Sequence, residues 1–166
     1  MSEMTLPFIQ PPKSRVVLLD THPLSKVSHP KIDPKVQQWL KSLRDSKIVI
    51  RIPEIADYEL RRELIREGKK KSLERLDSLS QMFLIPITPE TIRKAAELWA
   101  WVRNQGKPTA SNDSLDGDVI LAAQAIIQLK SFDEVIVVTT NVKHISRFAS
   151  KGIFVADWQQ TLDNVV

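Results

Sequence analysis

Short, unbroken apolar runs alternate along this chain with longer stretches whose apolar residues recur at helical spacing. Arg15-Val-Val-Leu-Leu-Asp20 is the first run, and it ends on an acid. Further runs occupy 48–52, 83–87, 134–140 and 153–156, the second closed by Pro53. Continuous rather than alternating apolar character predicts strands covered on both faces. Between the runs the period changes. Asp33 and Pro34 form an N-cap and first-turn pair, and Val36, Trp39, Leu40 and Leu43 make a helical stripe behind them. Helices are predicted over 54–67, stopped by Gly68, and over 73–79. Thr88, Pro89 and Glu90 open the best-marked helix, whose Ile92, Ala95, Ala96, Trp99 and Val102 keep helical spacing until Gly106 and Pro108. A polar loop over 107–114 leads into an apolar helix over 119–129, and a short helix is expected over 143–148. Trp39 and Trp99 sit on apolar stripes and read as core, whereas Trp101 lies off its stripe.

Strands that alternate with helices from start to finish predict an α/β fold, a three-layer sandwich around a central, mostly parallel sheet. One domain over 15–158 is expected, behind an irregular arm over 1–14 with Pro7, Pro11 and Pro12, and ahead of a tail over 159–166.

Composition narrows the chemistry. Hydrophobic residues make up 42% and charged residues 27% of the 166, the balance of a folded globular domain. A chain of this length can bury a core that needs no metal or disulfide to fold. There is no cysteine, which excludes disulfides, thiolate zinc sites, cysteine nucleophiles and cysteine-held iron–sulfur clusters. No apolar run approaches bilayer length, and MSEMTLPFIQPPKSR lacks the pattern of a signal peptide. A cytoplasmic protein with no membrane partner is the expectation. The formal charge of +4 permits a polyanionic partner without requiring one. Phosphate-binding glycine loops and the Gly-x-Ser-x-Gly elbow are absent.

In open parallel sheets, ligands bind beyond the carboxyl ends of the strands. Asp20 ends the first run, Thr139-Thr-Asn141 ends the fourth, and Asp116-Gly-Asp118 precedes the apolar helix between them. Glu59 lies about a turn and a half into the helix after the second run. Each residue has an ordinary alternative: Asp20 and Asn141 as turn formers, Asp116 and Asp118 as helix caps, Glu59 as a solvated helix position. Acids gathered at one edge repel one another unless a cation joins them. Carboxylates without thiols, and with only three histidines, suit a hard divalent ion that keeps waters for a phosphate.

Taken in order, these segments resemble the PIN domain family of metal-dependent nucleases, and its VapC-like toxins in particular, over most of the chain. The matching stretches are Leu18-Leu-Asp-Thr-His-Pro-Leu-Ser25, Ile52-Pro-Glu-Ile-Ala-Asp-Tyr-Glu-Leu-Arg-Arg62, Asp118-Val-Ile-Leu-Ala-Ala-Gln-Ala125 and Thr139-Thr-Asn-Val-Lys-His-Ile145. His22 stands where the family usually carries Asn or Ser, and His144-Ile145 replaces its Asp-Phe, so the fourth acidic position is neutral here. The resemblance implies hydrolysis of phosphodiester bonds to a 5′-phosphate and a 3′-hydroxyl. It implies Mg²⁺ or Mn²⁺ held by the catalytic acids Asp20, Glu59, Asp116 and Asp118, with Asp116 in a supporting role. Asn141 joins the catalytic set, and Thr139 and His144 are assigned to the substrate. RNA is the implied substrate and an antitoxin protein the implied partner, while a homodimer is left open. The intact acidic triad favours a nuclease. The His144 replacement favours the competing reading, a PIN-fold nucleic-acid-binding or scaffold protein with weak or lost catalysis.

From Arg61 to Lys71 six cations stand against two acids. Lys69, Lys70 and Lys71 are expected to contact RNA phosphates at the rim of the site, the ordinary alternative being a solvated helix end.

Overall fold

The computed structural model of the chain describes residues 13–106 and 112–165. Five strands form one sheet in the order β3-β2-β1-β4-β5. They are β1 (Arg15–Leu19), β2 (Val49–Pro53), β3 (Leu84–Ile85), β4 (Glu134–Thr139) and β5 (Phe154–Asp157). Every pairing is parallel, with Val17 opposite both Ile50 and Ile136, and Val138 opposite Ala156.

The side-chain period of two sends alternate residues of β1 to opposite faces. Val16 and Leu18 enter one core with Leu98, Ala122 and Phe148. Val17 and Leu19 enter the other with Leu24, Trp39 and Leu76. The sheet is therefore the middle of three layers, as the continuous apolar runs predict. The first core is covered by α5 (Pro89–Arg103) and α6 (Asn112–Ile127). The second is covered by α1 (Thr21–Val27), α2 (Pro34–Asp45), α3 (Glu54–Glu67), α4 (Lys70–Phe83) and, beyond the short α7 (Val142–Ile145), α8 (Trp158–Asp163). Trp39 and Trp158 meet edge to face there, their ring centroids 5.2 Å apart. Each such buried side chain contributes about 1.5–3 kcal/mol.

Local signals explain most element ends. Asp33 accepts from the Lys35 N–H at 2.8 Å, and Thr88 forms a reciprocal capping pair with Thr91. Gly68 closes α3 at φ 67°, a left-handed turn that favours glycine. The chain then doubles back, so α3 and α4 form a hairpin. Asp57 near its base accepts from Arg61 Nε at 2.8 Å and from Ser80 Oγ, while Arg61 also pairs with Asp77.

Several expectations change. α4 begins at Lys70 and runs to Phe83, longer than the predicted 73–79, leaving only Leu84–Ile85 as strand. α6 begins at Asn112, so Asp116 and Asp118 lie inside the helix and do not cap it. Trp99 is 42% exposed although it lies on the apolar stripe, because α5 turns Ala95, Leu98 and Val102 inward instead. Trp101, off the stripe, is half-buried with its ring 6.1 Å from that of Phe148. The expected tail begins within α8, and Leu162 and Val165 pack against the second core. The arm over residues 1–12 and the loop over 107–111 lie outside the described residues.

Candidate active site

β1 sits between β2 and β4, where the order of strands along the sheet reverses. The carboxyl edge at such a switch point is left open by the diverging connections. Asp20 follows β1 there. Its N–H bonds Val138 O at 3.0 Å, continuing the ladder by one residue. Its Oδ1 accepts from the Thr21 N–H at 2.8 Å, capping α1, and its Oδ2 accepts from Thr139 Oγ1 at 2.6 Å. The same threonine oxygen accepts the Asn141 N–H at 2.8 Å. Both Asp20 oxygens are thus fixed by neighbours from two strands' ends.

Glu59 lies in the second turn of α3 and Asp118 in the second turn of α6. The two helices bring them to the same cavity as Asp20, a space of about 310 Å³ also lined by His22, Gly117 and Asn141. Asn141 Nδ2 stands 3.5 Å from Asp118 Oδ1, a long hydrogen bond. Asp118 Oδ2 is buried and accepts no hydrogen bond, with His144 Nδ1 at 3.6 Å from it.

The acids feel one another. Burial pushes the Asp118 carboxyl up to about 6, with Asp20 adding to the shift and His144 and Arg147 opposing it. Burial also raises Glu59, joined by the negative charges of Asp20 and Asp118 and countered by Arg62. A cation placed among them would relieve this repulsion.

Among the described residues no three His, Asp or Glu side chains close on one point as a ready-made metal cage. The donor set still suits a hard divalent ion. All three acids offer oxygen, Asp118 Oδ2 lacks a partner, and Mg²⁺ is usually bound through one or two carboxylates with waters completing the octahedron. Asp20 and Asp118 would hold such an ion, and Glu59 would reach it directly or through a water.

The remaining expected residues fall in different places. Asp116 is exposed and does not line the cavity; it borders a shallow apolar groove with Ile92, Trp99 and Ile120. Two steps along the helix take it to Asp118, about 200° around the axis, so the two acids cannot share a face. Thr139 is fully buried beneath Asp20, where it orients the carboxylate and does not meet the substrate. His144 stands over Asp118 and Asn141 lines the cavity. Lys69, Lys70 and Lys71 occupy the far turn of the α3–α4 hairpin, roughly 15 Å along the helix from Glu59. Gly117 and Arg147 carry no mark in the sequence as site residues. Only the small residue between two acids hints at the first: a Cβ at Gly117 would stand 3.4 Å from Glu59 Oε1, so any longer side chain would begin to fill the cavity.

The PIN domain model matches residues 17–149. No curated protein matches the chain. Among solved structures, VapBC2 of Rickettsia felis bound to a fragment of its promoter DNA is 19% identical, covering 86% of this chain and 98% of that one, with a TM-score of 0.66. FitAcB of Neisseria gonorrhoeae is 25% identical over the same shares, with a TM-score of 0.59. VapBC-5 of Mycobacterium tuberculosis, of the VapBC family of toxin–antitoxin systems, is 16% identical over 86% and 98%, with a TM-score of 0.53. The parallel five-stranded sheet, the acids at its carboxyl edge and the extent of the family match agree: the chain belongs to the PIN domain family.

Proposed function

We propose that this protein is a metal-dependent nuclease that hydrolyses RNA, and that it is the toxin of a toxin–antitoxin pair. The observation that carries the nuclease reading is the buried, unpartnered Asp118 Oδ2 in one cavity with Asp20 and Glu59. Membership of the PIN family and the VapBC neighbours support the toxin role.

When bound, Mg²⁺ or Mn²⁺ supplies an activated water and neutralises charge on the phosphate. The chain's own residues do the rest. Thr21 and Thr139 fix both oxygens of Asp20, so the carboxylate needs no reorganisation when substrate arrives. Asp118 contributes charge above its raised pKa of about 6. Glu59, half-buried, accepts a hydrogen bond from the attacking water and orients it. The Asn141 amide donates to a phosphate oxygen. Hydrolysis then leaves a 5′-phosphate and a 3′-hydroxyl.

A second reading rests on His144. Its ring nitrogen, 3.6 Å from Asp118 Oδ2, stands where the family resemblance calls for an acid, and a site short of that acid binds nucleic acid without cutting it. Titrating Mn²⁺ into the wild type and Asp118→Asn with a mixture of single-stranded RNAs separates the two. Metal-dependent cleavage by the wild type alone supports the nuclease. RNA binding without cleavage at any metal concentration supports the second reading.

A further inference from the structure

The active cavity is lined by acids, and an RNA strand is a polyanion. A strand that enters it must be held by cations on either side, and the lysine run of the hairpin turn is too far from Glu59 to hold the nearest phosphates. A second depression, of about 410 Å³, opens beside the cavity, and His22 lines both. Its other walls carry Lys26, His29, Lys31 and Lys35, over the edge of the buried Trp158.

The sequence builds this groove from one helix face. His22 and Lys26 fall at i and i+4 on α1 and share a face. His29, just beyond the Ser28 cap, continues the wall away from the cavity. The α1–α2 connection brings Lys31 and Lys35 to the other side. His29 Nδ1 lies 3.0 Å from the Lys31 N and 3.1 Å from the Lys31 O, which holds the ring against the groove wall. One acid lines the groove, Asp33, and it is engaged as the cap of α2. Lys35 makes a loose 3.9 Å contact with Asp163. Lys26 and Lys31 have no ion-pair partner among the described residues. Two ammonium groups without an ion-pair partner, in a groove that His22 joins to the acidic cavity and whose one acid is already engaged, suit an extended polyanion rather than a single small anion.

We infer that this groove is the track for the RNA backbone next to the scissile phosphate: His22 is the junction, and Lys26 and Lys31 contact successive phosphates. The inference rests on the nuclease reading for the identity of the strand, but its test does not need cleavage.

The test measures binding of a short fluorescein-labelled oligouridylate by anisotropy, in EDTA, over a range of salt. Lys26→Gln/Lys31→Gln is compared with Lys41→Gln/Arg93→Gln, which removes the same charge from the exposed faces of α2 and α5. The groove variant is expected to lose about tenfold in affinity near 0.15 M salt. Its slope of log affinity against log salt should shrink by roughly 1.4, since about 0.7 of a counterion is released per phosphate contact on a single strand. The control should keep the wild-type slope. Equal losses in both variants, or an unchanged slope in the groove variant, overturn the assignment. Tighter binding of a polyglutamate peptide than of the oligouridylate, abolished by the same two substitutions, also overturns it and makes the groove a seat for an acidic protein. Because binding is read without metal, absence of cleavage would sink the nuclease reading and leave this result standing.

Discussion

The Thr139 hydroxyl donates to Asp20 Oδ2 at 2.6 Å while it accepts the Asn141 N–H at 2.8 Å. One oxygen thus ties the ends of β1 and β4 and fixes an acid of the site without touching the cavity. Thr139→Val keeps the shape and removes the hydroxyl, leaving two half-buried polar groups without this partner, at a cost of about 1 kcal/mol in stability. Cleavage should fall roughly 10–100-fold, the usual loss when the support of a ligand is removed. Thr139→Ser should restore most of it. Chemical denaturation and cleavage assays on the two variants check both; wild-type activity in Thr139→Val shows that Asp20 needs no such support.

Asp20→Asn separates charge from shape. Asn caps a helix about as well as Asp, so α1 should keep its start and the circular dichroism spectrum should not change. Metal-dependent RNA cleavage should drop by at least about a thousandfold, since the metal supplies several kcal/mol at the transition state. A folded Asp20→Asn protein of full activity contradicts the mechanism.

Asp118 makes the metal-free protein less stable as pH rises. Its folded pKa of about 6 lies above the ordinary 3.8, so the native state holds the extra proton between those values. Stability from this group is complete below about pH 4 and lost as pH climbs through 6. Asp118→Asn should therefore melt a few degrees higher than wild type at pH 8 in EDTA, a shift of about 1 kcal/mol after solvent screening, and no higher at pH 4. Melting curves at the two pH values check the sign. A variant that is less stable at pH 8 would show that the carboxylate is paired rather than stranded.

Divalent metal should reverse that penalty. At roughly 100 times its dissociation constant, Mn²⁺ should add about 2.7 kcal/mol to wild-type stability. The gain should shrink below pH 6, where a proton competes for Asp118, and be mostly absent in Asp118→Asn. Calorimetric scans with and without Mn²⁺ read it directly. An equal gain in wild type and variant places the ion elsewhere.

The hairpin turn makes a different demand. A strand lying in the cavity can reach Lys69, Lys70 and Lys71 only by running the length of α3. Replacing all three with Ala should leave binding of short oligonucleotides unchanged and weaken that of longer ones, with a smaller salt slope. Equal effects at every length would bring these lysines to the rim of the site.

Much of this was legible in the residues, and the limits have physical causes. The apolar run into Asp20 predicts a buried strand with an acid at its carboxyl end, and Asp33-Pro34 and Thr88-Pro89 mark helix starts that the structure keeps. These signals are local, set by capping and by burial on two faces. What the chain does not announce depends on which surface a helix meets. Trp99 and Trp101 are both apolar and nearly adjacent, yet only packing against Phe148 decides which goes inward. Asp116 and Asp118 read as a pair because the apolar spacing of this helix begins only at Val119. Once the helix extends back to Asn112, they must diverge. The distance of Lys69 from Glu59 follows from α3 and α4 forming a hairpin, which no stripe in either helix specifies.

The central place of β1 in the sheet has a consequence for synthesis. Asp20 and Glu59 are translated early, yet the groups that complete their cavity come from Gly117, Asp118 and Asn141, and the strand that locks Asp20 ends at Thr139. A growing chain carries two of the three acids of the site, Asp20 and Glu59, well before the third, Asp118, exists. If the finished protein cuts RNA, it cannot begin on the message that encodes it, or on the machine reading that message, until the chain has emerged past Asn141.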